Sequence, residues 1–362
     1  MDKKDSKYYL SGKGFSKETL IRFTDEKLAG DNISEFEKEL YTFVKEWFSS
    51  TEYIIANTSG STGKPKEIRL LKKHMEVSAE VTISYFDLRK KDKALLCLPM
   101  RFIAGKMMVV RALVGGLDLY VTEPSSKPEI PALQIQFSAM VPLQVGNLVK
   151  ENSVAFSNIK KLIIGGSFIP VPLLMQIQHL DTKVWQTYGM TETITHIAVR
   201  KINGSDKSDL YSALPGISLR LEDGSIVVHA PHLGIRGLKT NDLAEIDQVG
   251  RFSITGRADN VIISGGLKFF PEKIEQKISG LFSADYFIGG LSDPNLGQKM
   301  VLFIEKSSYI EQQIFNTWLK LEEKLEKYEM PKEIVFLKAF NRTTSGKTDR
   351  RATIGQCKMA FT

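Results

Sequence analysis

Short apolar runs, each too brief for a helix, recur at residues 94–98, 117–121, 139–141, 162–164 and 184–185, with longer stretches of helical character between them. Strands that alternate with helices lie parallel and are covered on both faces, so this rhythm constrains the chain to an α/β core. From about residue 211 the texture shifts to shorter β-like pieces at 218–221, 225–229, 243–246 and 252–255, which predict a β-rich subdomain. From Asp259 it changes again, to strand, glycine turn, helix over 271–279, strands, a charged helix over 309–327 and a strand over 334–337. The expected fold class is therefore α/β, with a large N-terminal domain over 1–258 and a small α+β domain over 259–362. No proline-rich linker separates them, so the joint is expected to be short.

Composition narrows the partners. A chain of 362 residues with 42% hydrophobic and 25% charged side chains can bury a sizeable core, which excludes wholesale disorder. Its 49 lysines and arginines against 42 acidic residues leave +7, a balance that suits anionic partners. No helix-turn-helix, zinc or RNP-like signature accompanies the charge, so nucleic acid is not expected among them. Cys97 and Cys357 alone cannot build a disulfide framework or a cysteine-rich zinc site, and a reducing cytoplasm is the expected location. The start of the chain has no apolar stretch, and the longest apolar region is broken by Lys106, Arg111 and Asp118, so neither a signal peptide nor a membrane span is expected. Oligomeric state stays open, a homo-oligomer included. Ser34 and Glu37 read as a capping box for a helix over 34–50 that would bury Phe36, Leu40, Phe43, Val44 and Trp47.

Between apolar runs at 53–56 and 68–71 lies a loop carrying Thr58, Ser59, Gly60, Ser61, Thr62, Gly63, Lys64 and Lys66. Two glycines, hydroxyls and cations in so few residues can offer backbone N–H groups, hydroxyl donors and positive charge to a polyphosphate. It is not a Walker loop: only two residues separate its glycines, and Pro65 follows Lys64, where a helix would have to begin.

That loop resembles the signature of the acyl-adenylate-forming superfamily, which includes acyl-CoA synthetases, luciferases and peptide-synthetase adenylation domains, with Glu67 in place of a final glycine. Further motifs follow in the superfamily's order. Gln186 to Glu192 reads QTYGMTE. The resemblance puts Tyr188 and Gly189 on the nucleotide, Thr191 on phosphate and Glu192 on Mg²⁺, a role that suits a hard oxygen ligand. Thr240-Asn241-Asp242 is similar to a TGD element whose aspartate takes the ribose hydroxyls. The long run from Gly256 to Glu275 would set Arg257 on ribose or phosphate and make Asp259 the hinge. Within it Gly265 and Gly266 would let backbone approach the pantetheine arm of CoA. Asn341 to Lys347, NRTTSGK, resembles the C-terminal motif carrying the catalytic lysine, here Lys347. Gly165 and Gly166 resemble a segment lining the adenine and acyl pockets.

The resemblance implies two half-reactions, in which a carboxylate attacks the α-phosphate of ATP and a CoA thiol then displaces AMP. ATP, Mg²⁺ and CoA are the implied cofactor and co-substrates, and the small C-terminal domain is implied to rotate between the steps. LPMRFIAG, residues 98–105, followed by Arg111, is similar to a segment of the o-succinylbenzoate:CoA ligases of menaquinone synthesis, with Phe102 replacing a histidine and Arg111 at a position tied to the substrate's aromatic carboxylate. An arginine inside MMVVRALVGG needs a partner, either that ligand or an internal Asp or Glu. Another aryl or short-chain acid, or a noncatalytic nucleotide-binding homologue, stays open. Only 57 residues precede Thr58, fewer than in the superfamily at large, so a shortened N-terminal lobe is expected.

Overall fold

The computed structural model of the chain describes residues 7–57, 66–151, 153–282, 284–306, 311–343 and 347–360. The recurrent apolar runs become the centre of a nine-stranded sheet. Lys93–Leu96 lies between Asp118–Val121 and Ile135–Met140, then Ile159–Ile164 and Lys183–Gly189 extend the sheet, and every one of these pairings is parallel. The crossovers are the helices Ile103–Gly115, Pro142–Glu151 and Val171–Ile177. Side chains of a strand alternate between its faces, and the sheet accordingly splits its core. Leu95, Leu162 and Ile164 pack on one side, while Ala94, Leu96, Phe137 and Ile163 pack on the other.

Helix Ile103–Gly115 is buried along most of its length, from Met107 to Leu113, as befits a helix apolar on nearly every side. It ends because Gly116 takes φ +59, the left-handed cap that favours glycine. Helix Glu35–Phe48 begins with the reciprocal Ser34–Glu37 box and buries the five residues expected of it. Strands Tyr53–Asn57 and Glu67–Leu71 form an antiparallel pair. Lys106 in the buried helix donates to the carbonyl of Ile55 at 2.9 Å, which fixes that pair to the core.

The β-rich stretch is a four-stranded antiparallel sheet of Ser218–Glu222, Ser225–Ala230, Ile235–Ile246 and Phe252–Arg257. Beyond it, Ile262–Ser264, Leu267–Phe269, Tyr286–Asp293, Gly297–Glu305 and Glu333–Leu337 make a five-stranded sheet with its own apolar cluster around Ile288, Leu302 and Ile304. Helices Pro271–Lys277, Glu311–Glu322 and Arg350–Ala360 accompany it.

Elements without a clear sequence signature stand at both ends of the chain. At the front, Tyr8–Leu10 and Lys13–Phe15 form a hairpin whose first strand joins the large sheet parallel to Asp118–Val121, and helix Lys17–Leu28 follows. Strands of three residues are too short for their alternation to register. Helix Arg350–Ala360 is equally unmarked, its few apolar residues being spread through a basic, polar segment.

Candidate active site

The end of strand Lys183–Gly189 and the beginning of the strand that returns beside it, His196–Lys201, organise the site. Gly189 pairs across the hairpin with His196, and a side chain there would meet the Thr195 carbonyl oxygen at 2.3 Å, so only glycine closes the turn. Thr191 and Glu192 lie in a one-turn 3₁₀ segment at its tip, with Glu192 exposed. Ile194 holds φ +68 and ψ −54, a left-handed turn region that a β-branched residue rarely enters, and the Thr195 N–H donates to the Thr193 carbonyl at 2.7 Å. Strain of this sort survives only where the surroundings impose it.

Tyr188, just before the turn, donates its phenol to Asp242 Oδ2 at 2.8 Å. Its ring is braced edge-on by Tyr211 and Phe252, which stack on each other at 5.4 Å. Burial first, and the Asp242 carboxylate second, push the phenol well up, so it stays a donor. Asp242 and Arg257 are direct partners on adjacent antiparallel strands. Arg257 Nη1 donates to Asp242 Oδ1 at 3.0 Å, while its Nε and Nη2 fork onto both oxygens of Asp259 at 3.0 and 3.1 Å. The Thr240 hydroxyl accepts from the Asp242 N–H at 3.1 Å and fixes the turn. An ionised carboxylate has about four acceptor positions, so Asp242 keeps room for hydroxyl donors of a ligand.

Lys347, from the far end of the sequence, comes within electrostatic reach of the same group. Its ammonium is held below the usual lysine range by local desolvation and by Arg257, with Asp242 opposing, although the residue as a whole remains exposed and solvent screens part of this field. Residues from four separate motifs, Tyr188, Asp242, Arg257 with Asp259, and Lys347, thus converge. The loop residues Thr58, Ser59, Gly60, Ser61, Thr62, Gly63 and Lys64 lie outside the described residues; Lys66 is exposed just before strand Glu67–Leu71.

Gly165 and Gly166 form the turn after Ile159–Ile164. A side chain on Gly165 would meet Thr187 Oγ1 at 2.4 Å, and Gly166 has φ +88. This turn therefore abuts the strand that carries Tyr188. Gly265 and Gly266, with φ +57 and +80, turn the hairpin between Ile262–Ser264 and Leu267–Phe269, and the Gly265 N–H donates to Leu296. Their described contacts are with that neighbouring strand region instead of Asp242.

A second cluster lies beneath the hairpin. Arg111 is only 1% exposed, yet no carboxylate among the described residues pairs with it. Its Nη2 donates to Thr195 Oγ1 at 2.9 Å and stands 3.4 Å from His196 Nδ1, and its Nε is buried with no partner. Burial alone pushes the guanidinium down to about 9, so it is still a cation at neutral pH. Burial and the adjoining Arg111 drive the His196 imidazole well down. Neutral, it can accept from Arg111 while Nε2 faces the Thr82 hydroxyl at 3.3 Å. Among the described residues no internal Asp or Glu serves as the partner expected for Arg111. Phe102 caps the same helix two turns earlier, half-buried, with the Arg101 guanidinium over its ring at 4.9 Å.

Thr195 is not legible from the sequence, while Thr240 stands in the TGD-like element already read there. Thr195 follows the strained turn, which no local pattern announces, whereas a threonine two residues before Asp242 is a visible turn signal. Among the described residues no group of three His, Cys, Asp or Glu could hold a metal alone, and no helix is long and apolar enough to cross a membrane.

A family model described as AMP-binding enzyme matches residues 8–229. A 2-succinylbenzoate–CoA ligase from Bacillus mycoides (strain KBAB4) is 30% identical over 349 residues, covering 85% of this chain and 71% of that protein. The acyl-CoA synthetase (AMP-forming)/AMP-acid ligase II-like protein from Dyadobacter fermentans DSM 18053 is 34% identical, with TM-score 0.61 over 92% of this chain and 97% of that one. The o-succinylbenzoate coenzyme A synthetase from Bacillus subtilis superposes with TM-score 0.69 in its complex with ATP and magnesium ion and 0.71 with the acyl-adenylate intermediate. It is 20% identical, and the superpositions span 94% and 93% of this chain and 82% and 80% of that one.

Proposed function

The chain belongs to the AMP-binding enzymes, and from that membership we propose that it is an AMP-forming carboxylate:CoA ligase whose acid is o-succinylbenzoate. The observation that carries the reaction class is the convergence of Tyr188, Asp242, Arg257 and Lys347. The acid rests on Arg111, a buried cation with an unmet donor and no carboxylate of its own, beside the hairpin that carries Glu192.

In this reading the loop from Thr58 to Lys66 cradles the phosphates, and Asp242, held by Tyr188 and Arg257, accepts the ribose hydroxyls. Arg111 anchors one carboxylate of the dicarboxylic acid, which leaves the other to attack the α-phosphate. Charge builds on that phosphate as the new P–O bond forms and the bond to pyrophosphate breaks, and the Lys347 ammonium is the group to stabilise it. Magnesium needs few protein ligands when it rides on phosphates, and the exposed Glu192 carboxylate with the Thr191 hydroxyl is a donor set that fits it. When bound, the ion neutralises phosphate charge. CoA then attacks the acyl carbon through its thiolate and AMP leaves. For that step residues 259–362 turn about Asp259 and bring the Gly265–Gly266 hairpin toward the pantetheine. The two buried free cysteines, Cys97 and Cys357, suit a cytoplasmic enzyme.

Pyrophosphate release measured across a panel of acids tests the proposal. Release stimulated by o-succinylbenzoate above simple aryl and short-chain acids is the expected result; no stimulation by it would sink the choice of acid.

A further inference from the structure

On either side of Lys347 stands an arginine with well-defined side-chain partners, Arg342 and Arg350. Before it, Arg342 pairs with Asp285 at 2.8 Å and donates to Thr348 at 3.0 Å, an exposed arrangement. After it, Arg350 opens the last helix and turns inward. Its Nη2 donates to Glu275 Oε2 at 2.7 Å, while Glu275 Oε1 accepts from the Ile288 N–H at 2.8 Å. The guanidinium also covers the Phe287 ring at 5.6 Å. Its other nitrogen, Nη1, is buried without a hydrogen bond and stands 3.8 Å from Glu272 Oε1. That same Glu272 oxygen accepts from Asn260 Nδ2 at 2.5 Å, and Asn260 is the residue after Asp259.

We propose that Arg350 is a positioning residue for adenylation, fixing the Lys347 loop to helix Pro271–Lys277 and, through Glu272 and Asn260, to the Arg257–Asp259 segment that holds Asp242. This rests on the functional reading above. A planar guanidinium with one carboxylate on each side is suited to the task, because it restrains direction as well as distance. Glu275 is mostly buried, and its burial raises its carboxyl despite Arg350, so this pair is set apart from the solvent-screened ones. Gly256 completes the seat: a side chain there would meet Glu272 Oε2 at 2.8 Å. The path from Lys347 back to Asp242 is therefore continuous, running through Arg350, Glu272, Asn260, Asp259 and Arg257.

The test uses the full chain as wild type, Arg350→Ala and Arg350→Lys. Amide exchange over residues 341–353 is expected to quicken in Arg350→Ala while strand Tyr286–Asp293 keeps its protection. The kcat for pyrophosphate release is expected to fall by about 10-fold or more with KM for ATP nearly constant, since a misplaced group lowers rate more than binding. Thioester formation from supplied acyl-adenylate should hold, and Arg350→Lys, which keeps a bond to Glu275, should recover most of the first step. Unchanged exchange around Lys347 would overturn the proposal. So would an equal fall in both half-reactions, or a folded Arg350→Lys no better than the alanine variant. If the wild type releases no pyrophosphate with any acid while the exchange result holds, the functional reading fails and the tie between Arg350 and the loop stands.

Discussion

Asp242 and Arg257 face each other across neighbouring antiparallel strands, and the guanidinium closes on the carboxylate at 3.0 Å. Tyr188 donates to the other carboxylate oxygen, so Asp242 is oriented by the protein itself, ready for the nucleotide role proposed for it. Such preorganisation is lost when the charge is removed and the shape kept. Asp242→Asn is expected to raise the Kd for ATP by about 10- to 100-fold, since hydrogen bonds to charged groups contribute about 1.5–3 kcal/mol. Calorimetric titration checks this, and an unchanged Kd would remove Asp242 from the nucleotide site.

How much of this site was legible depends on distance along the chain. The register that sets Asp242 opposite Arg257 lies within one hairpin, and both strands carried visible β texture. The alternating runs of the large sheet were equally plain, because burial on two faces leaves strands apolar throughout. What could not be read is tertiary: that Tyr188 would spend its hydroxyl on Asp242, or that Arg111 would meet Thr195 instead of an acidic side chain. The turn at Ile194 has no local signature, since isoleucine is among the residues least suited to it. Arg350 was invisible for a related reason, as its carboxylates lie 75 residues away or more.

Lys347 gives a signature in pH. Desolvation and Arg257 lower its titration below the ordinary lysine value of 10.5, so the ammonium proposed to act at the α-phosphate is lost earlier on the alkaline side than an unperturbed lysine would allow. The rate of pyrophosphate release should therefore fall as pH rises through that lowered value. Lys347→Ala should lose about 10²- to 10³-fold in that step, the scale seen when one stabilising donor is removed, while still binding ATP. A wild-type profile that stays flat to 10.5 would argue that another group supplies the charge.

Gly189 is fixed by backbone on both sides, with the Thr195 carbonyl oxygen 2.3 Å and the His196 Cα 2.6 Å from where a Cβ would sit. Neither can yield as a flexible side chain would. Gly189→Ala is expected to cost about 1–3 kcal/mol of stability by overpacking and to displace Thr195 from Arg111, so both the thermal midpoint and the KM for the acid should worsen. Gly355→Ala is the control: it lies in a helix with open space around its Cβ position and should be neutral or slightly stabilising.

Arg111 offers the sharpest separation of function from stability. A buried cation without a carboxylate is a burden on the fold, and an apolar side chain of similar length removes it. Arg111→Met is therefore expected to leave the thermal midpoint unchanged or raise it. The same change should raise the KM for o-succinylbenzoate by about 10-fold or more, through loss of a charge-assisted contact of about 1.5–3 kcal/mol. Aryl acids with one carboxylate, which give Arg111 nothing to hold, should respond far less. In the wild type the dicarboxylic acid should itself raise the thermal midpoint, because a ligand that binds only the folded state stabilises it. Steady-state kinetics with matched mono- and dicarboxylic acids, alongside thermal melts, separates the cases. An equal response of both acids to Arg111→Met would mean that the guanidinium serves packing alone.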